Sequence, residues 1–113
     1  MRRLVTTEGV VVAEHVETAG TLWRRFVGLI GRRELPAGHG LAITPCNSIH
    51  MFFMRFPIDV AFLAKDGTVK RVYHELRPWR ISRIVRGART AVELPAGTLE
   101  AAGVEPGAAL QLL

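Results

Sequence analysis

The run Lys65-Asp66-Gly67-Thr68, set between Ile58–Ala64 and Val69–His74, constrains this chain more than any other feature. Asp-Gly between two β-branched and aromatic runs is a tight hairpin signal, because glycine takes the positive φ that such a turn demands. The hairpin commits the second half of the chain to antiparallel β structure and decides which side chains can meet. With a two-residue loop, Leu63 faces Lys70, Ala61 faces Val72 and Asp59 faces His74, about 5 Å apart at Cβ. Asp59 and His74 would then make a carboxylate–imidazole pair. A three-residue loop with a bulge places Ile58 opposite His74 instead.

The remaining punctuation continues the β pattern. Gly9 to Val16 reads as a strand, Leu41 to Ile43 as a short one stopped by Pro45, and Thr90 to Leu94 and Ala108 to Leu113 as two more. Ser48 to Met54 reads as a strand of aromatic and sulfur residues, with Pro57 imposing a bend before Ile58. Thr18 looks like an N-cap, and Leu22, Trp23, Phe26, Val27, Leu29 and Ile30 follow at helical spacing up to Gly31. Pro95 to Ala102 reads as a helical turn closed by Gly103. The expected fold is mainly β: a small antiparallel barrel or sandwich of six to eight short strands, with one amphipathic helix near the N-terminus. An α+β arrangement is the alternative.

At 113 residues the chain is one domain, 1–113, with a single core. Apolar content of 49% against 22% charged excludes a disordered chain. No stretch of about 18 apolar residues offers a membrane-spanning helix. Thr6, Thr7 and Glu8 interrupt the N-terminus where the apolar part of an export signal would run, which places the protein in the cytoplasm; export with the signal removed is the alternative. The lone cysteine, Cys46, allows no intramolecular disulfide. The net charge is +5, and 13 of the 15 basic residues are arginine. Biased composition accounts for this without any partner; the functional alternative is an anionic one.

Chemistry-bearing side chains concentrate in Cys46–Asp59, where Cys46, His50, Arg55 and Asp59 stand among Phe, Met and Ile. Strand alternation sends Ser48, His50, Phe52 and Met54 to one face and Ile49, Met51 and Phe53 to the other; both are apolar, so the strand should be central and His50 in or beside the core. A buried Asp59 needs Arg55, His74 or backbone N–H groups as partners. Cys46, His39, His50 and His74 are metal-ligand types, but residues 46 and 50 of a strand lie roughly 13 Å apart at Cα. Cys46 as a nucleophile would need a histidine within reach. A second constellation is the row Arg77, Arg80, Arg83, Arg86 and Arg89, with Trp79 able to stack on a base or sugar ring or to anchor a loop. Neither a strand nor a helix turns a three-residue repeat into a single stripe.

The segment Ser48 to Leu63, with Asp66-Gly67 and Val69, resembles the signature of the domain-of-unknown-function 192 family. Arg25 to Arg32 with Leu35, Gly38 to Leu41, Leu76 to Arg80 and Val92 to Gly97 resemble its other blocks, so the likeness runs from residue 7 to 113. Gly107-Ala108 departs from the family's usual Gly-Asp. The resemblance implies a compact β-rich domain of bacteria and archaea, with no assigned activity, cofactor or catalytic residue. Its motif residues here that could line a site are His50, Met54, Arg55, Asp59, Arg80 and Glu93.

The leading expectation is a binding module for a small anionic or polyhydroxyl ligand, contacted by Arg55 and Arg80 and oriented by Asp59 near Pro57, with nucleic acid a lesser candidate. The alternatives are a hydrolase-like or metal-assisted enzyme using Asp59, His50 and His74, and an interaction protein in which these groups are internal fasteners. No cofactor is called for. Solvent access to His50, Arg55 and Asp59 discriminates among them.

Overall fold

The computed structural model describes residues 2–19 and 34–113. Seven strands form one sheet: β1 (Arg2–Thr6), β2 (Val11–Ala19), β3 (His39–Ile43), β4 (Ile58–Leu63), β5 (Val69–Leu76), β6 (Thr90–Pro95) and β7 (Leu110–Leu112). Their spatial order is β5-β4-β6-β3-β2-β1-β7. The helix α1 (Thr98–Ala101) is the turn expected after Pro95, and Gly103 and Val104 close it by donating to the carbonyls of Glu100 and Leu99. The amphipathic helix expected over Leu22–Ile30 lies outside the described residues. Thr18, expected to cap it, belongs to β2 and pairs with Ala42.

The architecture is a curled half-barrel, mainly antiparallel. Its exception is β2–β3, which pair in parallel from His15↔His39 to Ala19↔Ile43 and so need a crossover connection. The curl brings the two edge strands together at one corner. There Val69 N–H donates to Ala108 at 2.8 Å and Leu110 N–H to Gly67 at 2.9 Å. Alternation on the strands then sorts the core in two. Leu4, Val16, Ala42, Ala61, Leu63, Val69, Val92, Leu94 and Leu110, with Leu99 and Val104, come from every strand and α1, and fill the inside of the curl. Leu41, Ile43, Ile58, Val60, Phe62 and Ala91 face the other way and are covered by Cys46, Ile49, Met51, Met54 and Val85 from the connections.

The hairpin forms at Asp66-Gly67, but its loop holds three residues: Ala64 and Thr68 pair, and Gly67 N–H donates to Ala64. Asp66 Oδ1 accepts from Thr68 N–H at 3.0 Å, which holds its carboxyl below the ordinary value. A bulge between Leu63 and Phe62 then restores Ala61↔Val72, and another between Val60 and Ile58 leaves Ile58 opposite Leu76. Neither register expected from the loop alone therefore reaches Asp59, because β-bulges reset the pairing along the strand.

Gly67 has φ +92°, and a Cβ there would overlap the Leu110 carbonyl oxygen across the corner where the edges meet. Gly87 also has positive φ, +78°, but its Cβ would meet only Lys70 Cε at 3.5 Å. Gly67→Ala should therefore cost on the order of 3 kcal/mol and Gly87→Ala about 1 kcal/mol. Thermal melts of the two variants check this; equal losses would show that the corner contact contributes nothing.

Candidate functional site: an exposed ribbon of aromatic and arginine side chains

The segment after β3 does not form the central strand expected for Ser48–Met54. Residues 47–51 instead zip antiparallel onto the connection before β6. Met51 N–H donates to the Arg80 carbonyl and Trp79 N–H to the Met51 carbonyl, both at 2.7 Å; Ser82 N–H donates to Ile49 at 2.9 Å and Val85 N–H to Asn47 at 2.8 Å. Ile49 N–H donates to Ser82 Oγ at 2.9 Å, and Arg83 N–H donates to the Tyr73 hydroxyl at 2.9 Å, fastening the ribbon to β5. Ile49, Met51 and Met54 turn inward and are buried, whereas His50, bridged to Ile81, faces outward and is exposed. Composition misled here: Phe and Met on both faces resemble a buried strand, but a turn at Phe52–Phe53 throws one aromatic face into solvent.

That outer face is continuous. His50 and Phe52 rings lie 4.8 Å apart, Phe52 and Trp79 5.9 Å, and Phe53 meets Trp79 edge-on at 4.9 Å. Phe53 is 61% exposed, Trp79 59%, Ile81 64% and Ile84 72%. His50 Nδ1 accepts from Phe52 N–H at 3.3 Å. Burial in the second strand of the ribbon recurs every third residue, at Ser82, Val85 and half-buried Ala88. The arginine repeat is the complement of that rhythm: Arg80, Arg83, Arg86 and Arg89 occupy one exposed row, and Ile81 and Ile84 the next. A period of three is neither that of a strand nor that of a helix, which is why no stripe emerged from those two geometries.

The six candidate residues part company. His50, Arg55 and Arg80 are exposed on or beside the ribbon, and Met54 is buried beneath it. Asp59 is fully buried on the opposite face of the sheet. Its Oδ1 accepts from Glu75 N–H and its Oδ2 from Leu99 N–H, both at 3.0 Å. Of the three partners expected for this carboxylate, backbone N–H groups are the ones it has; His74 and Arg55 are both exposed. Asp59 thus cannot orient Arg55 and Arg80, nor relay protons with His50 and His74. Glu93, 8% exposed, sits on β6 between Leu41 and Val60, and burial pushes its carboxyl up to about 7.

Cys46 is buried, its thiol donating to the Ser48 carbonyl at 3.1 Å, beside a concavity of ≈ 320 Å³ lined by Pro45, Asn47, Ser48 and Ala88. His15 and His39 stand side by side across β2–β3 with ring centroids 5.0 Å apart, a pairing only the parallel register reveals. Among the described residues no group of three or more His, Cys, Asp or Glu could hold a metal ion, and no helix is long and apolar enough to cross a membrane.

The strand order, the hairpin and the ribbon can be set beside known proteins. The family pattern described as DUF192, "Uncharacterized ACR", matches residues 3–112. The chain belongs to the DUF192 family. A UPF0127 protein of Pyrococcus furiosus is 34% identical over 113 residues, covering 96% of this chain and 95% of its own length. A crystal structure from Sinorhizobium meliloti 1021, described as "a putative transcription regulator", superposes with a TM-score of 0.79 at 30% identity, covering 98% of this chain and 91% of that one. A protein of unknown function from Novosphingobium aromaticivorans shares the fold, with a TM-score of 0.81 at 21% identity over 97% of this chain and 82% of its own. Membership in the family supplies a small β-rich domain and no assigned activity.

Two stability measurements test the buried carboxyls. Asp59→Ala leaves two N–H groups unpaired and should lose on the order of 3 kcal/mol in urea unfolding. Glu93 keeps its proton in the folded state up to about 7 but loses it near the ordinary value of 4.5 when unfolded. Between those values the folded state binds the extra proton, so stability falls as pH rises, by about 3 kcal/mol in all, and levels off above pH 7. Glu93→Gln should abolish that decline in urea titrations run at pH 5 and pH 8; an unchanged decline would assign it to other groups.

Proposed function

We propose that this chain is a binding module for an anionic ligand, taken up on the outer face of the ribbon formed by residues 47–55 and 77–89. The observation that carries the reading is the backbone at Phe53 and Trp79. Both are non-glycine residues with positive φ, 65° and 69°, and both present exposed rings that touch each other. Such backbone costs on the order of 1–3 kcal/mol per residue and persists where the surroundings enforce it, commonly at sites of function. The third residue of this kind, Glu75 at 51°, has a structural reason in its bond to Asp59. At Phe53 and Trp79 the same kind of backbone closes the ribbon, with Met54 N–H and Trp79 N–H both donating to the Met51 carbonyl, and it turns both rings outward, away from the core.

Charge supplies the ligand's sign. Arg55, Arg77, Arg80, Arg83, Arg86 and Arg89 are all exposed, and neither 46–56 nor 77–89 contains an Asp or Glu. Planar guanidinium groups suit phosphate and carboxylate oxygens. The aromatic faces add affinity for a ring, so a polyhydroxyl ring bearing phosphates meets both requirements. Nucleic acid is the second reading, favoured by Trp79 among the arginines and by the likeness to the Sinorhizobium structure described as a transcription regulator. Asp59 is buried with both oxygens on backbone N–H groups, whereas His50 and His74 are exposed, so the hydrolase alternative has no shared centre.

Myo-inositol hexakisphosphate should raise the melting temperature in low salt, with the effect shrinking as salt is added, while uncharged myo-inositol should leave it unchanged. Arg55→Ala combined with Arg80→Ala should weaken that stabilisation about ten-fold in ligand concentration without lowering the melting temperature of the free protein. No shift with the hexakisphosphate, or the same shift in the double variant, would refute the assignment to this ribbon.

A further inference from the structure

Anion binding alone leaves four large apolar side chains unexplained. Seven large hydrophobic residues are exposed among those described, and four of them (Phe53, Trp79, Ile81 and Ile84) belong to this ribbon. Two of the four are aromatic and could stack on a base or a sugar ring; Ile81 and Ile84, the most exposed of the seven, have no flat face to offer either ligand. Water is a poor environment for such side chains, and contiguous apolar surface of this kind marks a place of contact.

The arrangement has an order that a lipid surface matches. Apolar side chains stand beside arginines along one continuous ribbon with no carboxylate in either segment. An anionic bilayer presents its charges as a layer directly above an apolar one, so arginine heads meet phosphates while Trp, Phe and Ile enter the boundary beneath them. Tryptophan favours that boundary because its ring is apolar and its N–H polar. The bonds from Met51, Trp79, Ser82 and Val85 hold the ribbon in shape, so contact requires no ordering of the loop.

Resting on the anion-binding reading, we infer that the ribbon docks this domain peripherally on an anionic lipid surface, with Ile81, Ile84, Phe53 and Trp79 entering the headgroup boundary and the arginines pairing with lipid phosphates. The ligand's charge is thus presented by a membrane rather than by a free solute. Binding is reversible and falls with ionic strength, since no segment of the ribbon is long enough to cross the bilayer.

Co-sedimentation with vesicles of phosphatidylcholine alone, or with about one third phosphatidylglycerol, tests this. Binding should appear only with the anionic lipid, and tryptophan emission should shift to the blue, a shift that Trp79→Phe removes. The paired variant Ile81→Ser and Ile84→Ser should bind those vesicles about ten-fold more weakly while keeping its stabilisation by myo-inositol hexakisphosphate. If the hexakisphosphate stabilises the protein but anionic vesicles do not bind it, the lipid inference fails and anion binding stands. Vesicle binding unaffected by the isoleucine changes overturns insertion, and tighter binding to a single-stranded oligonucleotide than to vesicles at equal salt overturns the lipid in favour of nucleic acid. Failure of both the hexakisphosphate and the vesicles removes the anion-binding reading itself.

Discussion

The Asp59 carboxylate holds three parts of this domain in one place. It sits on β4, one of the most buried strands, and reaches into the curl of the sheet. One oxygen accepts from the Glu75 N–H, which secures the bulge where β5 departs from regular pairing. The other accepts from Leu99 N–H in the first turn of α1, a helix whose own N-cap is Gly97 and has no side chain to do so. A carboxylate at a helix N-terminus also meets the positive end of the peptide dipoles. Without this group β4 would keep its pairing with β5 and β6, but the bulged end of β5 and the first turn of α1 would each lose the side-chain bond that ties them to it.

Much of the fold was legible because its signals are local. Asp66-Gly67, the alternating runs on either side and the Gly103 stop all act within a few residues, and each appears where local chemistry places it. The register at Asp59 was not legible, since bulges between Leu63 and Phe62 and between Val60 and Ile58 respond to twist and to neighbouring strands rather than to the loop. β1 was not legible because Leu4 and Val5 are too few apolar residues to show a period, and they are buried only by pairing with β2 and β7. The candidate site was half legible. Arg55, Arg80 and His50 stood out as polar groups among apolar ones, and are exposed. Phe53, Ile81 and Ile84 did not stand out, because a hydrophobic residue is assumed buried until something shows otherwise. The clue lay in the three-residue arginine repeat, whose complement is the inward row of Ser82, Val85 and half-buried Ala88.

The two faces of the sheet divide the work. Inside the curl, the buried Asp59 carboxyl has both of its oxygens satisfied by backbone donors. On the outer face Glu93 lies among Leu41 and Val60, and carries an acidity displaced toward neutrality by burial. Above that face the ribbon covers apolar residues with Ile49, Met51 and Met54, while turning its own aromatic side to solvent. One short segment therefore both completes a core and displays a surface. Substitutions at its inward positions should be read as stability changes, and those at its outward positions as changes in recognition.

The meeting of the sheet's edges has a consequence for how the molecule is made. Arg3 and Leu113 exchange backbone hydrogen bonds, at 3.2 and 2.8 Å, and β1 pairs with β7 along its length. Contacts so distant along the chain are slow to form, since the entropy of closing the intervening loop must be overcome first. During synthesis β1 therefore cannot pair with β7 until the whole chain between them has been made. The hairpins of β1 with β2 and of β4 with β5 are local and need no such wait.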